Sequence, residues 1–233
     1  RIDECMLEQS GLKSNISIQA VPSSISNNDR DINNEVANMA KREIRSMKKG
    51  LRVIVTAGAA GIGRAIAETF ADRGARVFIC DLDTKALSEM AKACPGIGHF
   101  HADVADQTQV DAFFDAALAK LGGLDVLVNN AGIAGPTAPI DEMDPADWRR
   151  TVDINLNSHF YCLRRAVPPL KESGNGAIIN LSSVAGRLGF AMRTPYAATK
   201  WGIVGLTESL SKELGPFGIR VNCLQPGMVE GDR

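Results

Sequence analysis

Residues Ala177 to Gly205 read AIINLSSVAGRLGFAMRTPYAATKWGIVG, a stretch that holds a buried strand, a loop and the start of a helix. Ala177–Leu181 is a short apolar run between Gly176 and Ser182, the pattern of a strand covered on both faces. Thr194 followed by Pro195 reads as a helix start, a capping hydroxyl with proline at the first helical position. Tyr196 then falls in the first turn, and Lys200, four residues on, shares its face. A free phenol titrates near ~10, and both a neighbouring ammonium and a helix N-terminus favour its ionised form. Tyr196 is therefore a candidate for exchanging a proton with a substrate oxygen, and Ser183, at the strand's exit, for holding that oxygen by hydrogen bond. Taken alone, the same residues also read as a surface Tyr–Lys pair beside ordinary turn serines.

The 233 residues suffice for one domain with a full core. Hydrophobic residues make up 45% and charged residues 23%, the composition of a globular, soluble chain. A formal net charge of -1 offers no basic surface for nucleic acid, and no run is long and apolar enough to cross a membrane. Cys5, Cys80, Cys94, Cys162 and Cys223 are odd in number, scattered and without a C-x-x-C, so reduced thiols and a cytoplasmic location are expected. His99 and His101 share one side of a predicted strand but lack a third ligand at a recognisable spacing, so no metal is expected. His159 falls in a helical stretch and is read as a structural residue.

Outward from this stretch the chain divides unevenly. Ser10 to Arg30 is rich in serine, asparagine and charge, which suggests weak order, and residues from Asp31 to Lys48 have the spacing of one amphipathic helix. Residues 1–46 are expected to be an extension outside the fold. From Met47 the pattern is regular. Strands are predicted at Leu51–Val55, Arg76–Cys80, Ile97–Ala102, Leu124–Val128, Ala177–Leu181 and Ile219–Leu224. Between them helices are predicted at Gly61–Arg73 (with Ile62, Ile66, Ala67 and Phe70 inward), Thr84–Lys92, Gln107–Leu121, Ala146–Glu172 and Pro195–Leu214. Such alternation predicts an α/β fold: a Rossmann-like, doubly wound parallel sheet in a three-layer α/β/α single domain.

The first strand-to-helix turn is Thr56-Ala-Gly-Ala-Ala-Gly-Ile-Gly63. Small residues there let the backbone approach a pyrophosphate, whose charge rests on the helix N-terminus. Asp81 follows eighteen residues after Gly63, at the end of the second strand. A carboxylate at that place accepts hydrogen bonds from ribose hydroxyls and repels a 2′-phosphate, which predicts NAD over NADP. Arg64 and Arg76 are cations close enough in sequence to soften that preference.

With this turn, Asn129-Asn-Ala-Gly132 after the fourth strand, and Tyr196-x-x-x-Lys200, the chain resembles the short-chain dehydrogenase/reductase family from about Lys48 to Arg233. The resemblance implies hydride transfer between NAD(H) and a secondary alcohol or ketone. It implies a catalytic set in which Tyr196 is the acid/base and Lys200 assists it and holds the nicotinamide ribose. Ser183 would orient the substrate, and Asn155 would anchor a water in a proton relay. It further implies cofactor contacts at Thr56, Ala57, Gly58, Gly61, Ile62, Gly63, Asp81, Asp103, Val104, Asn130, Ala131, Gly132, Tyr196, Lys200, Pro226, Gly227 and Val229. A homodimer or homotetramer is implied, paired through the long helices before and after the fifth strand, where Ala198, Gly202 and Gly205 allow close contact.

Two positions depart from the family pattern. Ala57 stands where glycine is usual, and neighbouring Gly58 is expected to absorb the turn. Glu230-Gly231 stands where many relatives carry a threonine that contacts the carboxamide. Relatives continue with a mobile substrate-binding segment and a seventh strand, so the chain is expected to be a fragment of a longer product, with strand six an open edge. Leu188, Phe190 and Met192 favour an apolar substrate, and Arg187 and Arg193 are candidates for an anionic one. A 3-oxoacyl-thioester reductase is the first expectation for substrate. A sugar, polyol or dihydrodiol dehydrogenase is the second, and an NAD-binding relative without turnover is the contrasting class.

Overall fold

The computed structural model describes residues 48–229. The expected extension at residues 1–46 and the departure at Glu230-Gly231 lie outside the described residues.

Six strands form one wholly parallel sheet in the order β3-β2-β1-β4-β5-β6. They are β1 (Arg52–Thr56), β2 (Arg76–Asp81), β3 (Gly98–His101), β4 (Val126–Asn129), β5 (Ala177–Leu181) and β6 (Arg220–Leu224). The helices are α1 (Gly61–Asp72), α2 (Thr84–Ala93), α3 (Gln107–Leu121), α4 (Pro145–Val152), α5 (Ser158–Ser173) and α6 (Thr194–Leu214). Successive residues of a strand serve opposite faces, and β1 shows it. Val53 and Val55 pack with Ala67 of α1 and Met90 of α2, whereas Ile54 packs with Phe113 and Phe114 of α3 and Leu170 of α5. The three layers and double winding match the expected class, and element bounds fall within about two residues of the sequence reading.

Three expectations are corrected. The predicted continuous helix Ala146–Glu172 is α4 and α5 joined by a π-helical turn, Asp153–Asn157, which carries Asn155. Thr194 is not the cap of α6 but its first residue; the capping position falls on Arg193, with no side-chain bond. The first turn closes instead on the Arg193 carbonyl, which accepts the Ala197 amide at 3.0 Å. Ile62 does not face the core. It is 38% exposed, because the first turn of α1 projects past the carboxyl edge of the sheet, where no layer covers it.

The amino edge of the sheet is closed by one ion pair and by charged hydrogen bonds. Arg52 donates from Nε and Nη2 to the two oxygens of Asp125, each at 2.8 Å, and its backbone amide adds a third bond at 2.9 Å. This fork holds the Asp125 carboxyl below its ordinary pKa. Arg76, at the start of β2, donates to the carbonyls of Leu121 and Lys120 at the end of α3, where the helix dipole favours a cation.

Candidate active site

The strand order reverses between β1 and β4, so the loops leaving their carboxyl ends diverge and leave a crevice. Asn130 ties these loops together. Its Nδ2 donates to the carbonyls of Thr56 and Ala57 at 3.0 Å each, while Thr56 Oγ1 accepts the amides of Asn130 and Ala131 at 3.0 and 3.1 Å. Thr56 is buried, so its hydroxyl shapes the crevice through those loops rather than facing into it.

The glycine turn differs from expectation at one position. Ala57 itself takes the left-handed conformation, with φ +48°, and Gly58 does not. Gly58 is required for space: a Cβ there would lie 2.6 Å from Ile79 Cγ2. Gly61 has φ +52°, and Gly63 sits so close to the strand that a Cβ would meet the Ala57 carbonyl. The first turn of α1 has no side-chain cap, so its amides remain to receive an anion. Backbone access and free helical amides together fit a pyrophosphate.

Asp81 closes the turn from β2. One carboxylate oxygen accepts the Ala59 amide at 3.0 Å and the other the Asp83 amide at 3.1 Å, which points the group into the crevice mouth. The two arginines expected nearby are elsewhere. Arg76 is at the far end of β2, about 17 Å away along the strand, and Arg64 pairs with Glu68 at 2.7 Å. Asp103 is tied to Arg150 at 2.9 Å and accepts the Ala105 amide, while Val104 beside it is buried. At the opposite flank the Pro226 carbonyl accepts the Val184 amide at 3.0 Å, and Gly227 and Val229 are exposed.

The candidate catalytic side chains come from three elements around β5. Ser183 leaves the strand, and its Oγ accepts the Ala185 amide at 3.2 Å. Tyr196 is half-buried in the first turn of α6. Lys200, one turn below, is buried; its Nζ donates to the Leu181 carbonyl at 2.9 Å and lies 5.8 Å from the centre of the Tyr196 ring. Burial pushes the Lys200 ammonium down to about 8, an effect that neighbouring Cys223 partly offsets. Asn155 is held by three hydrogen bonds. Its Oδ1 accepts the Ile133 amide at 2.7 Å, and its Nδ2 donates to the Ile133 carbonyl at 2.9 Å and to Thr199 Oγ1 at 3.2 Å. The π turn aims this side chain at the loop after β4, a local irregularity frequent at functional sites. Gly132 lies between the two groups: a Cβ would sit 3.2 Å from Lys200 Nζ and 3.3 Å from Asn155 Oδ1.

Two supporting residues escaped the sequence reading. Ser182 donates to the Lys200 carbonyl at 2.7 Å, locking α6 to the end of β5, and Thr199 links Asn155 to the first turn of that helix. Both lay inside the quoted stretch, but only packing reveals their partners. Beneath the site, Asn129, Asn180 and Cys223 fall in one register row of β4, β5 and β6. Asn129 donates to Asn180 and Asn180 to Thr207 of α6, each at 3.0 Å. Buried His159 of α5 adjoins this row. Burial, with Lys200 as the lesser cause, pushes its imidazole down to about 3, so it is neutral at physiological pH. Among the described residues no three metal-ligating side chains gather.

A model of the short chain dehydrogenase family matches residues 51–233. This chain belongs to that family. It is accordingly a nicotinamide-dependent oxidoreductase of CH–OH groups. Trans-4-hydroxycyclohexanecarboxylate dehydrogenase of Sinomonas cyclohexanicum is 42% identical over 187 residues, spanning 76% of this chain and 71% of that protein. The 3-alpha-(or 20-beta)-hydroxysteroid dehydrogenase of Mycobacterium tuberculosis (strain ATCC 25618 / H37Rv) is 40% identical over 182 residues, spanning 78% and 70%. Among solved structures, levodione reductase superposes with a TM-score of 0.73 at 34% identity, over 77% of this chain and 72% of that one. No helix among the described residues is long and apolar enough to cross a membrane.

Proposed function

We propose that this chain interconverts an alicyclic secondary alcohol and its ketone with NAD(H). The observation that carries the reading is Lys200, buried on the Leu181 carbonyl beneath Tyr196, with Ser183 on the adjoining strand exit. Bound nicotinamide would supply or accept the hydride. Tyr196 would move the proton at the substrate oxygen, and Ser183 would hold that oxygen by hydrogen bond. Lys200 would steady the phenolate and hold the cofactor's ribose; Asn155 would fix the loop at Ile133 and extend a proton path. The glycine turn, Asp103, Val104, Asn130 to Gly132 and Pro226 to Val229 would line the rest of the cofactor.

The preference for NAD rests on Asp81 at the crevice mouth, with Arg76 at the other end of the sheet and Arg64 on Glu68. The ring-shaped substrate rests on two supports. Exposed Ile140, Leu188, Phe190 and Met192 offer apolar contact, which suits a saturated ring better than a polyol. Two relatives named above act by name on a hydroxycyclohexanecarboxylate and a hydroxysteroid, D-threitol dehydrogenase of Mycolicibacterium smegmatis acts by name on a polyol, and none of these names is a thioester. Two further readings accompany this one. The catalytic domain would begin near Met47, with residues 1–46 outside it, in a cytoplasmic protein. Pairing of subunits would use α5 and α6, which expose Phe160 and Trp201. Gly202 is already packed against Leu156 within the chain, which leaves exposed Ala198 and Gly205, with open space before it, as the positions for close contact.

Parallel titration with NADH and NADPH, followed by nicotinamide fluorescence, tests the cofactor reading. NADH is expected to bind at least tenfold tighter, with the difference lost in Asp81→Ala. Equal binding to the unaltered protein overturns the preference. Oxidation of cyclohexanol and its ring-substituted relatives, faster than that of threitol, tests the substrate reading; the reverse order overturns it.

A further inference from the structure

We infer that His101 is a positioning residue for cofactor choice: its imidazole holds the peptide that aims the Asp81 carboxylate at the crevice mouth. The inference rests on the reading of Asp81 as the group that favours NAD, and deepens it.

Asp81 ends β2, and His101 ends β3 directly opposite it in the parallel register. Neighbouring strands lie about 4.8 Å apart, and the side chains of such a pair share one face of the sheet. One peptide unit, Leu82–Asp83, joins the two residues. Its carbonyl accepts from His101 Nε2 at 3.1 Å, and its amide donates to Asp81 Oδ1 at 3.1 Å. A carbonyl only accepts, so Nε2 carries the proton in this bond. The peptide is planar and rigid, so fixing its oxygen fixes the direction of its N–H. Donation to the oxygen also polarises the unit and strengthens the bond from its amide.

The turn has no apolar anchor of its own. Leu82 is 53% exposed, so its side chain does not pin the peptide. The Asp83 side chain is committed forward: its Oδ1 accepts the Lys85 and Ala86 amides and caps α2. Two amides tether the Asp81 carboxylate. The Ala59 amide, on Oδ2, comes from the phosphate turn. The Asp83 amide, on Oδ1, belongs to the peptide that His101 holds from a separate strand. Each carboxylate oxygen keeps a lone pair for a ribose hydroxyl. With Oδ1 released, the group swings about its Oδ2 bond. It then offers the ribose a poorer pair of acceptors and turns aside from a 2′-phosphate that it would otherwise repel. His99 supplies the contrast. It lies on the same face of β3 and is also exposed, but it stands opposite Ile79 rather than Asp81.

The test titrates the full chain with NADH and with NADPH by nicotinamide fluorescence and compares the ratio of the two dissociation constants among variants. His101→Phe keeps a ring and removes the donor, and His101→Asn keeps an amide too short to reach the Leu82 carbonyl. Both should narrow the ratio about threefold to tenfold, the range of a single hydrogen bond. His101→Gln, whose amide reaches about as far as Nε2, should keep most of the ratio, and so should His99→Phe. In the Asp81→Ala background, His101→Phe should change the ratio no further. An unchanged ratio in His101→Phe and His101→Asn, or loss of both cofactors by the same factor, overturns the inference; a ratio lost in Asp81→Ala then leaves the NAD reading standing. Equal narrowing by His101→Phe in the Asp81→Ala background also overturns it, since His101 would then act on the cofactor directly. A ratio untouched by Asp81→Ala overturns both the inference and the NAD reading.

Discussion

The two edges of the sheet are built from opposite materials. The amino edge is clamped by two arginines. Arg52 forks onto Asp125, and Arg76 caps α3 at Leu121 and Lys120. The carboxyl edge buries uncharged polar groups in a row, keeps one lysine inside, and holds both non-glycine residues with positive φ among those described, Ala57 and Met192. A left-handed alanine costs about 1–2 kcal/mol, and a buried ammonium costs free energy at neutral pH in proportion to its lowered pKa. The fold thus concentrates strain and desolvation where a ligand binds and ties the opposite edge with arginine hydrogen bonds.

This contrast can be broken from either side. The largest expected effect is at the carboxyl edge: Tyr196→Phe should lower kcat by about 10²–10⁴-fold while NADH affinity and melting temperature hold, as steady-state assays and thermal unfolding would record. Turnover retained in that variant would remove Tyr196 from the chemistry. Next is the response to acid. His159 titrates near 6.5 when unfolded and is pushed down to about 3 in the fold, so the unfolded state binds the extra proton between those values. The stability it contributes is complete above pH 6.5 and declines as pH falls toward 3, by about 4 kcal/mol in all. Urea unfolding from pH 7 to pH 3 should show a shallower loss in His159→Gln.

At the amino edge, Asp125→Asn should lower stability by about 2 kcal/mol, read as a shift in the urea midpoint, with kcat unchanged. A change in kcat would show that the two edges communicate. The smallest effect is expected from Ala57→Gly. Relief of the left-handed strain is partly offset by the greater freedom of unfolded glycine, leaving a gain of about 0.5 kcal/mol and NADH binding no weaker than before. Lower stability in this variant would mean that the Ala57 methyl contributes more by packing than it loses by strain.

The order of strands and helices was legible because each strand is a short apolar run and each connection carries its own stop, as Gly122-Gly123 after α3 and Gly74 after α1 do. The candidate site was legible for a related reason. Gly61 to Gly63, Asp81, Asn130 to Gly132, Ser183 and Tyr196 to Lys200 all sit at or just after strand ends or in the first two turns of a helix, and a parallel sheet brings such places to one edge. The π turn at Asn155 was not legible, since the stretch from Asp153 to Asn157 has the composition of an ordinary helix, and the extra residue is accommodated by bonds to Ile133 and Thr199. The cap of α6 fell one residue earlier than expected because the first turn closes on the Arg193 carbonyl, a bond that spacing alone does not show.

Local chemistry in the chain settled the layered fold, the place of the phosphate turn and the pairing of Tyr196 with Lys200. These depend on spacing along one strand or one helix, which sequence specifies directly. Packing alone settled that Ala57 takes the left-handed turn and that Gly58 is needed for the space beside Ile79. It also settled that Arg76 stands at the far edge and that Asn155 is anchored to Ile133 and Thr199. Each of these depends on which distant segments meet, and hydrogen-bond satisfaction across tens of residues is a property of the folded arrangement, not of any stretch within it.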